Sequence, residues 1–246
     1  MKNKGKIYVI GIGPGDREQM SLMSLKAIKE SEVIVGYKTY INIIEDLIKE
    51  KEIINSGMKK EVERCEITID EAEKGKIVSI VSSGDPGVYG MAGAVLELVN
   101  KRNSDVEVEI VPGITAANAA AASLGAPLMH DYAVISLSDL LTDWEVIKKR
   151  IDCAAAGDFI ITLYNPKSKG RITQIEDARE IIMKYRKPST TVGIVRNAKR
   201  EGEQVKITNL ERMLEHNIDM FTIVIIGNSN TYESNNMMIT PRGYFK

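Results

Sequence analysis

An α/β chain of two domains is predicted by three features of the 246-residue sequence. Short β-branched runs alternate with amphipathic stretches, a glycine-rich loop follows the first of those runs, and Gly125, Ala126 and Pro127 interrupt the rhythm near the middle. Apolar runs at residues 7–10, 33–35, 53–54, 77–81 and 106–111 read as five strands of a parallel sheet. Helical periodicity occupies the intervals, over residues 21–30, 40–50, 59–73 and 92–100. After an alanine-rich helix at 116–124 and the break behind it, strands are predicted at 133–137, 159–163, 191–195 and 221–226, with helices near 144–155 and 172–185. The domains are therefore placed at 1–128 and 129–246, and residues 232–246 read as a polar tail free to close over a site.

Composition narrows the function classes. Lys plus Arg (33) nearly cancels Asp plus Glu (34), so no strong field attracts a nucleic acid or an anionic membrane. Apolar runs are strand-length, and residues 1–5 lack the apolar core of a signal peptide. Cys65 and Cys153 lie far apart and form no C-x-x-C pair, so neither a disulfide framework nor a zinc site is indicated. Reduced thiols and a cytoplasmic location are expected.

The opening VIGIGPGD, residues 9–16, runs a buried strand into a loop where Gly11, Gly13 and Gly15 permit close backbone approach. The dinucleotide pattern G-x-G-x-x-G fails because Asp16 occupies the third glycine position, where its charge would repel a pyrophosphate. With Gln19 three residues on, Asp16 reads instead as the start of a capping box for the next helix. Pro14 removes a backbone donor and builds a rigid apolar corner, better suited to adenosine than to phosphate. Ordinary turn chemistry is the open alternative for these glycines. A Walker A pattern occurs nowhere.

Further segments follow other predicted strands: VSSGDPGVYG (81–90), VPGITAANAAAASLGAPL (111–128), LYNP (163–166) and, near the end, TPRGY (240–244). With GIGPGD, and over almost the whole chain, they resemble the tetrapyrrole methylase family. HDYAVISLSD at 130–139, LYNP and TPRGY are most similar to the branch that methylates carbon 17 of precorrin-3B or cobalt-factor III. The resemblance implies a two-domain α/β fold holding S-adenosylmethionine in a cleft between the domains, a small tetrapyrrole substrate and a homodimer. Carried over by position, it assigns the donor site to Pro14, Ser83, Gly84, Asp85, Val88, Thr115 and Ala116, and in the second half to Asn165, Ala198 and Thr240. Asn165 stands where uroporphyrinogen methylases carry a methionine. Taken singly, Asp85-Pro86 and Asn165-Pro166 are common turn pairs and Thr115 is a plausible helix cap; their joint occurrence favours the site.

Methyl transfer from a sulfonium is an in-line displacement by a carbon that is already nucleophilic. Alignment alone contributes roughly 7–11 kcal/mol in well-oriented systems, so the lack of a catalytic triad is no objection. The carbon-17 branch is also associated with contraction of the macrocycle, which requires a proton to move. His130 and Asp131, with Ser136, Ser138 and Asp139 just beyond, form the densest polar cluster near the break, and histidine titrates in a useful range. His130 also reads as a solvated loop residue.

No protein metal site is expected, and cobalt would arrive inside the substrate. Richness in Ile, Lys and Asn favours cobalt-factor III over precorrin-3B. The rival readings are a methyltransferase for another carbon, a nucleotide-cofactor oxidoreductase and a tetrapyrrole carrier. The oxidoreductase would want an acidic residue after the second strand, where Gly36, Tyr37 and Lys38 stand instead. The carrier would want metal ligands, and its histidines, His130 and His216, are far apart in sequence.

Overall fold

Along the first strand, β1 (Lys6–Gly11), side chains alternate between two cores: Ile7 and Val9 enter one, Tyr8 and Ile10 the other. A strand buried on both faces must lie inside a sheet covered on each side. The computed structural model, which describes residues 5–15, 17–57 and 60–245, shows how the next elements provide that cover. They run α1 (Leu22–Glu30), β2 (Val33–Tyr37), α2 (Lys38–Ile43), β3 (Glu52–Ser56), α3 (Glu61–Glu73), β4 (Ile77–Ser82), α4 (Ala92–Arg102) and β5 (Glu107–Val111). The strands pair in the order β3-β2-β4-β1-β5, all parallel. Ala27, Ile28 and Ile41 from α1 and α2 pack on one face, while Cys65, Ile69, Ala72, Ala92 and Val95 from α3 and α4 pack on the other.

Local chemistry starts and stops these helices. Ser21 caps α1, its hydroxyl accepting the Ser24 N–H at 3.0 Å, and the left-handed Asn103 ends α4. The capping box predicted at Asp16 lies outside the described residues, as does the predicted helix start at Lys59. The helix predicted over residues 40–50 is shorter, ending as α2 at Ile43 before a separate turn at Glu45–Leu47. Both cysteines are free thiols, and burial pushes the Cys65 thiol up to about 11, so it is inert at neutral pH.

The chain divides into two compact units, Met1–Ala116 and Ala117–Lys246. The division falls before the junction read at Leu128, because the alanine-rich helix α5 (Ala116–Leu124) packs with the later strands of the chain. A Cβ added to Gly193 would lie 2.3 Å from Leu124 Cδ1, so the missing side chain at Gly193 is what lets Leu124 seat on the second sheet. Alanine favours this helix intrinsically, and its small side chains permit close approach.

The second unit continues with β6 (Gly125–Ala126), β7 (Tyr132–Ser136), α6 (Trp144–Ala156), β8 (Ile160–Tyr164), α7 (Gln174–Met183), β9 (Thr191–Arg196), β10 (Gln204–Asn209) and β11 (Thr222–Ile226). Its main sheet has the order β10-β9-β11-β8-β7, parallel between β7 and β8 and antiparallel elsewhere. Ile147 and Ile151 of α6 and Ile175, Ala178 and Ile182 of α7 form one core with Ile161, Leu163, Val192, Ile194 and Val224 of the sheet. The predicted polar tail is instead partly a hairpin, β12 (Tyr232–Ser234) and β13 (Met237–Ile239), and β13 pairs with β6. Asn235 and Asn236 turn it with φ of 51° and 59°, the two positive values that a tight two-residue turn between twisted strands requires. Strand β10 is absent from the strands read in the sequence; it alternates polar and apolar residues but is an exposed edge strand with only Val205 and Ile207 as apolar residues.

Among the described residues no helix is long and apolar enough to cross a membrane. Leu124 is 1% exposed, and Leu124→Ala removes the side chain that seats α5 on Gly193. We expect a loss of about 2–5 kcal/mol in urea unfolding. A loss below about 0.5 kcal/mol would show that the helix is held by something else.

Candidate functional site

In the first unit the central strands β4 and β1 lie side by side, parallel, and send their connections in opposite directions. From β1 the chain leaves toward β2, and from the neighbouring β4 it crosses β1 to reach β5. In parallel α/β sheets ligands bind beyond the carboxyl ends of the strands. The glycine loop after β1, the GDPG loop after β4 and the PGIT loop after β5 all meet there. Pairing outlasts the strands: Ile12 N–H donates to Ser82 O at 2.9 Å, and Gly13 and Gly84 exchange bonds of 3.1 and 2.7 Å.

That meeting point is built of backbone. A Cβ on Gly113 would lie 2.2 Å from Gly84 O and 2.8 Å from Gly11 O, while one on Gly11 would lie 2.6 Å from Gly84 O. Gly84 itself has φ of +69° and turns its bare α-carbon toward the backbone of Ile114, Thr115 and Ala116, with atoms 3.7–3.9 Å from a Cβ built there. Asp85 joins two of the loops: one carboxylate oxygen accepts Gly87 N–H at 2.8 Å and the other accepts Gly113 N–H at 3.0 Å. The fork of an ionised carboxylate thus spaces the β4 and β5 loops with charge-assisted bonds. Ser24 Oγ donates to Gly11 O at 2.9 Å and ties α1 to the same point.

Pro14 and Gly84 are buried and Ser83, Asp85, Val88, Thr115 and Ala116 half-buried, so the predicted donor residues of the first unit lie on these three loops. Gly11 and Gly113, absent from the predicted site residues, carry the close approach. Their signal is legible in GIGPG and VPGIT, where a glycine follows the last buried strand residue directly or by one step.

In the second unit, β7, β8 and β9 run in one direction, because β8 and β9 are each antiparallel to β11 and β7 is parallel to β8. Their carboxyl ends share one edge of the sheet. Asn165 follows β8 with φ of 49°, and its Nδ2 donates to Ser136 Oγ at the end of β7 at 3.0 Å. Arg171 Nη2 donates to Asn165 O at 2.9 Å. Tyr164 hydroxyl accepts Ala117 N–H at 2.8 Å, satisfying a donor in the first turn of α5 that has no partner within the helix. Ala198 is buried just beyond β9, after the left-handed Asn197. Thr240 is 1% exposed; its N–H donates to Ala126 O at 3.1 Å and its hydroxyl lies 2.8 Å from that of Thr231.

The sequence groups His130 and Asp131 with Ser136, Ser138 and Asp139, and the structure splits that cluster. His130 and Asp131 precede β7, where Ile160 N–H donates to Asp131 O, whereas Ser136 closes the strand at its other end. A five-residue strand spans roughly 16 Å at about 3.3 Å per residue, so sequence proximity does not become spatial proximity. His130 and Asp131 side chains are 45% and 80% exposed, and His130 Nδ1 accepts Asp131 N–H at 3.1 Å. Ser136 and Arg171 are the polar groups actually next to Asn165.

Residues 6–214 match the family of tetrapyrrole (corrin/porphyrin) methylases. The chain belongs to the tetrapyrrole methylase family. The chain is 51% identical over 245 residues to the cobalt-factor III methyltransferase of Priestia megaterium, a match covering 98% of the chain and 45% of that relative. It is 48% identical over 238 residues to the probable cobalt-factor III C(17)-methyltransferase of Salmonella typhimurium, covering 97% and 99%. The chain therefore spans less than half of the first relative's length and nearly all of the second's. Among solved structures, the methyltransferase CobJ superposes with a TM-score of 0.92 at 34% identity, over 96% of this chain and 100% of that one.

The edge that carries Asn165 and Ala198 is braced by Asp219. Burial pushes its carboxyl up, but Arg196 Nε at 2.7 Å, Phe221 N–H at 2.9 Å and the Thr222 hydroxyl at 3.0 Å outweigh that and hold it below the usual carboxylate range. A carboxyl with a lowered folded pKa contributes stability above its unfolded pKa and loses it as pH falls through the folded value. Asp219→Asn is expected to cost about 1–2 kcal/mol at pH 7, with the gap to the parent closing below about pH 4. Urea titrations across that pH range test it, and a gap that stays constant down to about pH 2 would contradict the role.

Proposed function

We propose that this chain transfers a methyl group from S-adenosylmethionine to carbon 17 of a corrinoid precursor, cobalt-factor III rather than precorrin-3B, coupled to contraction of the macrocycle. The observation that carries the reading is the junction of bare backbone at Gly84. Backbone from three loops converges there at the carboxyl ends of β1, β4 and β5, and Ala116 across from Gly84 presents the smallest side chain a chiral residue has. An uncharged nucleoside body fits bare backbone; a pyrophosphate would want the donor that Pro14 lacks. The bound donor supplies an electrophilic methyl group on sulfur.

The residues of the chain then bind and align. Pro14 offers an apolar wall to adenosine, Ser83 and Thr115 offer hydroxyls, and Val88 offers an apolar flank. Asp85 keeps the β4 and β5 loops at a fixed spacing through Gly87 and Gly113. Asn165, Ala198 and Thr240 are the contribution we assign to the second unit. Alignment of this kind suffices for a carbon nucleophile, at roughly 7–11 kcal/mol of the barrier. Cobalt, where present, belongs to the substrate. We further propose that the enzyme works in the cytoplasm as a homodimer, with residues 1–128 and 129–246 as its domains and the donor residues drawn from both.

Calorimetry should show S-adenosylhomocysteine binding at micromolar affinity or better, about −8 kcal/mol, and no binding of NAD. Tight NAD binding with no response to the sulfonium compounds would revive an oxidoreductase. Gly84→Leu and Ala116→Phe should abolish that binding while lowering the melting temperature by only a few degrees, roughly 2–4 °C per kcal/mol lost. Normal cofactor affinity in either folded variant would move the pocket elsewhere.

Mass and NMR analysis of the product from cobalt-factor III tests the reaction itself. His130→Ala and Asp131→Asn should leave methyl transfer within about threefold of the parent, since alignment and not proton transfer limits that step. A methylated but uncontracted product from them would assign the contraction step to this pair. Contracted product at parental levels would remove both residues from the chemistry.

A further inference from the structure

Three arginines of the described residues are about nine-tenths buried or more: Arg64, Arg171 and Arg186. Arg64 has Glu61 at 3.2 Å and Arg186 has Asp158 at 3.0 Å. Arg171 has no carboxylate within ion-pairing distance among the described residues. Its Nη2 donates to Asn165 O at 2.9 Å, its Nη1 reaches Ser138 Oγ only at 3.5 Å, and its buried Nε has no hydrogen-bond partner. A guanidinium held out of water without a counter-charge is costly, and it persists where a ligand completes the pair.

The surroundings say what ligand that would be. Ser168 and Arg171 exchange backbone bonds of 2.8 and 3.3 Å, a tight turn that puts Lys169 and Gly170 at its tip and brings Arg171 back beside Asn165. Lys167 and Lys169 add positive charge on the same turn. The facing loop, tied on by Gln174 Nε2 donating to Asp139 at 3.0 Å, exposes Leu140 at 70% and Leu141 at 99%, and Ile172 is 55% exposed next to Arg171. Exposed aliphatic side chains around a buried cation match a molecule with an apolar body and carboxylate arms.

We propose that Arg171 is the anion subsite for a carboxylate side chain of the tetrapyrrole substrate, with Leu140, Leu141 and Ile172 as the apolar rim under its ring. The proposal rests on the methyltransferase reading above. The long Nη1 bond to Ser138 is the one exchanged when the carboxylate arrives, so that Arg171 grips the substrate with one nitrogen and Asn165 with the other. Asp139 stays on Gln174, outside ion-pairing distance of the guanidinium.

Fluorescence titration with an octacarboxylate porphyrin and its neutral octa-amide, alongside calorimetry with S-adenosylhomocysteine, tests this on the full chain. Arg171→Gln should weaken porphyrin binding about 10- to 100-fold, Arg171→Lys should recover part of it, and affinity for S-adenosylhomocysteine should fall far less, by about threefold at most. In turnover the Gln variant should raise KM far more than it lowers kcat. The parent should prefer the octacarboxylate to the octa-amide, and Arg171→Gln should lose most of that preference.

Parental porphyrin affinity in a folded Arg171→Gln variant would overturn the proposal, and so would equal loss of both ligands, which marks a purely structural arginine. If Arg171→Gln does not fold, the parent decides: binding the octa-amide as tightly as the octacarboxylate overturns it. A parent that binds no S-adenosylhomocysteine at all would instead sink the methyltransferase reading.

Discussion

The junction of the three loops in the first unit depends on the carbonyl of Gly84 lying against two bare α-carbons. Gly11 and Gly113 approach it so closely that a methyl group on either would sit 2.6 or 2.2 Å from the oxygen. A larger residue at either position would have to push a backbone segment, not a flexible side chain, out of the way. The strand ends are therefore drawn together, the Gly13 to Gly84 bridge can form, and Asp85 comes within reach of Gly113. Glycine is used here for proximity.

The second unit reaches a comparable end by polar means. Asn165 takes a left-handed conformation at the end of β8, and Ser136 and Arg171 hold it from two sides. Asn tolerates that conformation better than other chiral residues, because its short side chain can hydrogen-bond locally. Asn-Pro reads as a turn pair in the sequence, and a turn it is; what makes it more than a turn is the guanidinium behind it. One edge of a mixed sheet thereby collects the ends of β7, β8 and β9, and Arg196 with Asp219 braces the same edge from β9 and the approach to β11.

Placing His130 within a polar cluster with Ser136 shows where one-dimensional reasoning stops. Residues a few positions apart are neighbours on a helix but can stand at opposite ends of a strand, because a strand advances about 3.3 Å per residue. Both residues are polar, and the strand between them keeps them apart. Strand β10 and the hairpin β12 to β13 are hidden for a related reason. Edge strands and exposed hairpins carry little apolar pattern, since much of their surface faces water.

The sequence by itself determined the parallel five-stranded sheet, the alternation of helices over it, the glycine-bearing loops and the family to which they belong. Those rest on local pattern: buried strands need β-branched runs, and turns at a close approach need glycine. Only the tertiary structure decided that the alanine-rich helix joins the second unit, because Leu124 seats on Gly193 far along the chain. It alone decided that Arg171 is buried without a carboxylate partner among the described residues while Arg64 and Arg186 have theirs. An arginine looks the same in any sequence, and whether its charge is compensated depends on which residues distant in the chain are folded against it.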